Sequence, residues 1–122
     1  MVTLIESLGV ALMDAGVTGV HLIEAPPEPS PAVVLRPYAA TADPELPIGR
    51  QSIQCMVRAK SLPESEALAW KCYKALLEAV PAADRRVFSI TPRQEPFFLD
   101  RDDKRRYLHV FNFDVRVGHK EV

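Results

Sequence analysis

Residues 49–77, GRQSIQCMVRAKSLPESEALAWKCYKALL, decide how this chain folds, because the hydrophobic period changes inside them. From Gly49 to Lys60 the pattern alternates. Ile53, Cys55, Val57 and Ala59 fall on one side; Ser52, Gln54, Met56, Arg58 and Lys60 fall on the other. A period of two marks a strand with one buried and one polar face. At Ser61 the period lengthens to that of a helix. Ser61 is placed to be the N-cap, Pro63 suits a first turn, and Glu64 completes a capping box. Residues 62–79 then read as a helix, and Ala67, Trp70, Tyr73, Leu76, Leu77 and Val80 supply a broad apolar side. A helix that leaves one strand and feeds the next should cross the buried face of their sheet.

Towards the N-terminus, residues 3–15 read as a second helix. Thr3 and Glu6 form another capping box, Leu4, Leu8 and Leu12 recur every four residues, and Gly16 suits a left-handed stop. Val17 to Glu24 reads as a short strand, with Val20 and Leu22 on one face and His21 and Ile23 on the other. Four of the seven residues 25–31, APPEPSP, are prolines without an N–H, so this stretch cannot join a ladder. Ala32 to Tyr38 is the next strand. Its Val33-Val34-Leu35 run suits a middle strand or one covered on both faces. Residues 39–48, AATADPELPI, read as a loop.

Towards the C-terminus, Arg86 to Glu95 reads as a strand with Phe88 and Ile90 inward. Phe97 to Asp103 reads as a turn, and Arg105 to Val117 as a long last strand. Tyr107, His109, Phe111, Phe113, Val115 and Val117 share one face of it; Leu108, Val110, Asn112, Asp114 and Arg116 share the other. The order helix, three strands, helix, two strands predicts an α+β fold: an antiparallel or mixed sheet of about five strands with two helices on one face. Without helical crossovers between them, consecutive strands should pair antiparallel.

With 122 residues, 48% of them hydrophobic and 25% charged, residues 1–122 fit a single domain. A net charge of −1 is not the footprint of a dedicated nucleic-acid binder. No apolar run reaches bilayer-spanning length, and the N-terminus has no leader pattern, so neither membrane insertion nor secretion is expected. Cys55 and Cys72 read as buried thiols in a reducing compartment.

The residues offer little for catalysis. His21, His109 and His119 have no zinc spacing. Neither a nucleophile elbow nor a glycine-rich phosphate loop is present. His109 suits a satisfied core histidine near Cys55. Asp100, Asp102 and Asp103 alternate with Arg101, Lys104, Arg105 and Arg106, so they are expected to neutralise one another. No catalytic residue, metal or cofactor is expected.

The last strand raises a question of length. A chain of this size has a diameter of roughly 35 Å. About thirteen extended residues span roughly 43 Å. The surplus calls for a bend, a bulge or pairing with a neighbouring subunit.

Taken together, three stretches resemble the tail-terminator proteins of long-tailed phages. They are LIESLGVALMDAG with the proline-rich PPEPSPAVVL, then RQSIQCMVRAKSLPESEALAWKCYKALL, then RQEPFFLDRDDKRRYLHVFNFDV. The resemblance covers nearly the whole chain. It implies a non-enzymatic virion protein, assembled in the host cytoplasm, that forms a ring, commonly of six copies. Such a ring caps the tail tube, ends its polymerisation and joins it to the head connector, while DNA passes through the lumen without specific binding. Carried onto this sequence, the matched polar positions Gln54, Arg58, Arg93, Gln94, Asp102 and Arg106 become candidate contacts between subunits or with the tube. The alternatives are another neck or head-completion protein, or a small ligand-binding or enzymatic α+β domain.

Overall fold

A computed structural model describes residues 3–27, 30–42, 48–83 and 87–118. The elements are α1 (Leu4–Asp14), β1 (Val20–Leu22), β2 (Ala32–Ala42), β3 (Ile48–Ala59), α2 (Leu62–Ala83), β4 (Val87–Pro92), β5 (Phe97–Arg101) and β6 (Tyr107–Gly118). The fold is α+β. The strands form one mixed sheet in the order β1-β2-β3-β6-β4, with β5 also pairing β6.

Both helices begin as their caps dictate. The Thr3 hydroxyl accepts from the Glu6 backbone N–H while the Glu6 carboxylate accepts from the Thr3 N–H at 3.0 Å. Ser61 Oγ accepts from the Glu64 N–H at 3.3 Å. Leu4, Leu8, Ala11 and Leu12 are buried, so the leucine stripe of α1 faces the core. Gly16 follows in the left-handed conformation, φ +89°.

The stripe of α2 lies about one residue away from the expected one. Ala67 is exposed, and Trp70 and Tyr73 are half-buried. Leu76 is buried as expected, but Ser65, Ala69 and Cys72 complete the buried line with it. Small side chains let the helix axis approach the sheet, and the large rings then fill its flanks. Trp70 meets Tyr73 edge-on at 5.3 Å, and Tyr73 meets Phe111 edge-on at 5.4 Å. The inward placement expected of Val80 and Phe88 lies outside the described side chains.

α1 packs over β1 and β2, and α2 over β3, β6 and β4. The core between them holds Leu8, Leu12, Val33, Leu35, Ile53, Cys55, Val57, Phe111, Phe113 and Val115. These include the inward residues read from the alternation of β3 and β6. Val34 is buried on the opposite face, and β2 is flanked on both sides, as its apolar run implies.

Three expectations are corrected. First, β1 is only three residues long and pairs parallel to β2, with Val20 opposite Val33 and Leu22 opposite Leu35. Only nine residues, 23–31, separate the two strands in sequence, fewer than the crossover that parallel strands ordinarily need. The shortness of β1 permits this, since three residues advance only about 10 Å. Ile23, at φ +76°, reverses the chain in one step, with the Glu24 N–H donating to the Leu22 carbonyl at 2.9 Å. Gly19 belongs to the same corner. At φ +71° its Cα lies so close to the returning chain that a Cβ would stand 2.6 Å from the Pro31 carbonyl oxygen.

Second, the loop expected at 39–48 is narrower. Ala39 to Ala42 continue β2 against Gly49 to Ser52, after a register shift between Pro37 and Ala39. Proline is tolerated where the ladder is already interrupted.

Third, Phe97 to Arg101 is a strand, and the turn comes after it. β4 and β5 pair with two successive stretches of β6, Phe113 to Val117 and Tyr107 to Val110. Between them the Arg93 N–H donates to the Asn112 carbonyl at 2.8 Å, and the Asn112 N–H donates to Gln94 Oε1 at 3.1 Å. On its other side β6 pairs with β3 over its full length. A bent partner, not a neighbouring subunit, thus completes the long last strand.

Candidate interaction surfaces

The face of β3 that carries Arg58 turns away from the helices. Arg58 Nη2 donates to the Pro26 carbonyl at 2.9 Å. Arg106 Nη1 donates to the Pro27 carbonyl. Arg36 Nε donates to the Ile23 carbonyl at 2.9 Å. Three guanidiniums therefore take up carbonyls of the proline-rich crossover, which has few N–H groups of its own to organise it. Arg106 is held in turn by Asp102. Asp102 Oδ2 accepts from Arg106 Nε at 2.8 Å, and Oδ1 accepts the backbone N–H groups of Lys104 and Arg106 at 3.0 and 2.9 Å. Partial burial works to raise the Asp102 pKa, but these donors outweigh it and hold the carboxyl below its ordinary value.

At the other end of the same face, Asp114 accepts from Ser52 Oγ at 2.6 Å and from Arg93 Nε at 3.0 and 3.1 Å. Burial again pushes upward, while Ser52, Arg93 and Arg50 together pull the Asp114 pKa below the usual value. Arg93 ties β4's exit to β6, and Gln94 supplies the acceptor the bent ladder lacks. Of the six positions carried over from the resemblance, Arg58, Arg93, Gln94, Asp102 and Arg106 thus bond within the chain. Gln54 is half-buried, opposite Arg36 and Asn112.

His109 is buried, with its Nδ1 2.7 Å from Ser65 Oγ. Ser65 Oγ also lies 3.1 Å from the Tyr107 carbonyl, to which it donates. Its one proton is then committed, so the imidazole donates from Nδ1. Burial lowers the His109 pKa, opposed by the charge of Glu66. The pair is a strut between α2 and β6, sealed from solvent. Cys55 and Cys72 are free and buried, and burial and then Cys72 push the Cys55 thiol pKa up, so it is no poised nucleophile. Among the described residues no three potential ligands gather for a metal ion, and no helix is long and apolar enough to cross a membrane.

The sheet edges were not singled out by the sequence reading. At one edge Phe97, Phe98 and Leu99 of β5 are largely exposed. At the opposite edge Gly9, Val10 and Met13 of α1 and Val20 and Leu22 of β1 line a groove of about 260 Å³, with Glu6 at its rim. The run Phe97-Phe98-Leu99 ahead of a charged turn is the sequence signal for the first.

The features on view are an α+β scaffold, a pinned crossover and apolar sheet edges. The family of bacteriophage tail terminator proteins matches residues 4–117, and the chain belongs to it. No curated protein matches the chain at significant similarity.

Proposed function

We propose that copies of this chain form a ring, of six subunits, on the end of the phage tail tube. The ring stops tube polymerisation and presents a second surface to the connector on the filled head. It is a neck component of the virion, assembled in the host cytoplasm, and the genome passes through its lumen without sequence-specific contact. The family match over residues 4–117 carries this reading. The near-neutral charge is compatible with a lumen that does not retain phosphate strongly. In this reading Gln54 acts at a contact directly, while Arg58, Arg93, Gln94, Asp102 and Arg106 act chiefly by fixing the crossover and the β4–β5 bend, which then present the docking surface.

The test is tube length. Tail-tube subunits polymerised with the purified chain should give tubes of arrested growth, each with a ring at one end in electron micrographs. An unchanged length distribution would reject the assignment. Binding to the head connector alone would make the chain a different neck protein.

A further inference from the structure

The chain has two cysteines, and the fold brings them together in its core. Cys55 is on β3 and Cys72 on α2, and neither has exposed surface. Two contacts fix where α2 crosses the sheet. Ser65 bonds His109, which pairs opposite Val57, and Tyr73 meets Phe111, which pairs opposite Cys55. From Ser65 to Cys72 the helix advances about 10.5 Å, as far as about three strand residues. That carries Cys72 from the row of Val57 to the stretch of β3 that holds Cys55. Ser65, Ala69 and Cys72 are small, so the helix backbone lies close to the sheet along this buried line. A disulfide needs such closeness, since it holds its two Cα atoms within about 7 Å. The Cys72 thiol is near enough to that of Cys55 to help burial raise its pKa.

We propose that Cys55 and Cys72 form a latent redox lock: two thiols while the chain is in the reducing cytoplasm, and a disulfide between β3 and α2 once the particle has left it. The pair itself rests on the geometry, and only the timing rests on the virion reading above. A small peroxide that enters during local opening of α2 supplies the oxidation. One thiolate attacks a peroxide oxygen and the O–O bond breaks, giving a sulfenic acid and a hydroxide that leaves with the thiol's proton as water. The second thiolate attacks the sulfenic sulfur, the S–S bond forms, and a second water leaves. Two thiols are thereby oxidised and one peroxide is reduced to two waters. Burial sets the order of events. It keeps Cys55 protonated and out of solvent, so the pair stays reduced through folding and assembly. The same burial then shields the closed bond from reductants. The link closes the loop from 55 to 72, which restricts the unfolded chain, and it pins the helix that covers β3, β6 and β4.

Intact mass spectrometry tests the lock. Reduced, purified chain treated with a small excess of hydrogen peroxide should lose two hydrogens and gain no oxygen. Peptide mapping should place one link within the chain, between Cys55 and Cys72. The oxidised chain should melt about 10 °C above the reduced one, and dithiothreitol should reverse the shift. Cys72→Ala should show neither the loss of hydrogens nor the shift. Should that variant fail to fold, the wild-type mass, map and melting point decide alone. Thiols that survive peroxide unchanged, oxygenated sulfurs, links between chains only, or a link that lowers the melting point would each overturn the lock. Phage particles denatured in an alkylating agent without reductant should carry the same link. Chain taken from host cytoplasm before lysis should instead be alkylated at both cysteines. Particles that hold the chain with both thiols free overturn the proposal. If the purified chain forms the link and no particle contains the chain, the virion reading falls, and the timing falls with it while the pair stands.

Discussion

At the scale of single residues, His109 shows how a polar group survives in this core. Its neutral ring donates to Ser65, Ser65 donates to the Tyr107 carbonyl, and Phe98 lies against it with centroids 5.8 Å apart. Protonation would place a charge in a buried site, and burial accordingly lowers its pKa. The unfolded chain, with histidine near 6.5, therefore binds more protons than the folded one just below that pH. Stability rises with pH through this window and is complete above it. Urea midpoints should fall from pH 7.5 to 5 for wild type and stay level for His109→Gln. The lowered carboxyls Asp102 and Asp114 act in a separate, more acidic window, where stability is lost as they protonate. Phe111 is the apolar counterpart. It is fully buried, meets Tyr73 at 5.4 Å and Phe113 at 5.8 Å, and its ring has no room to be replaced. Phe111→Ala should lower the unfolding free energy by about 3–5 kcal/mol in denaturant titrations. The place of both residues on the inner face was legible in the alternation of the last strand. The Ser65 partner was not, because it comes from a helix whose apolar side the sequence puts one residue away. Size dominates a sequence reading, whereas in the fold the small residues Ser65, Ala69 and Cys72 set the contact line.

At the scale of elements, the crossover between β1 and β2 is the least conventional feature. Proline removes donors from residues 25–31, and the arginines of β2, β3 and the β5–β6 turn supply donors from outside. Arg106 is the central one, since it joins Asp102 to Pro27 and is almost fully buried. Arg106→Ala leaves the Asp102 carboxylate and the Pro27 carbonyl without that partner and should destabilise the fold by about 1–3 kcal/mol. Amide exchange at Val20 to Leu22 should quicken more than exchange in α2, because the clamp is local; equal quickening throughout would mean that the arginine supports the whole core instead. The Thr3–Glu6 capping box, the Ser61 N-cap, both helices and β3 were readable from residues close in sequence. The parallel pairing of β1 was not, since it depends on Gly19 and Ile23 reversing the chain and on three arginines distant in sequence. The strand at Phe97 to Arg101 was hidden for a related reason. Its identity comes from pairing with β6, and its apolar side chains show no inward alternation.

At the scale of the whole molecule, stability should be graded from the centre of the sheet to its edges. β3 and β6 are paired to each other over their full length and lie beneath α2. β6 is held on its far side by β4, by the Arg93–Gln94 bend and by β5. Opening any amide at the middle of these two strands requires separating the helix layer from the sheet, which is close to global unfolding. β5 is different: its five residues are exposed, and it pairs along one edge only among the described residues. In the isolated monomer, hydrogen exchange monitored residue by residue should therefore be slowest at Cys55, Val57, Phe111 and Phe113. β5 should exchange at least about a hundredfold faster, a difference of roughly 2.7 kcal/mol in opening free energy. The same physics explains why the length argument from sequence went astray. A strand longer than its domain is wide does need partners, but Gln94 allows two short strands joined by a bend to act as one long one. Exchange of β5 at the rate of β6 would show that the β4–β5 unit opens only with the core, and the graded picture would fail.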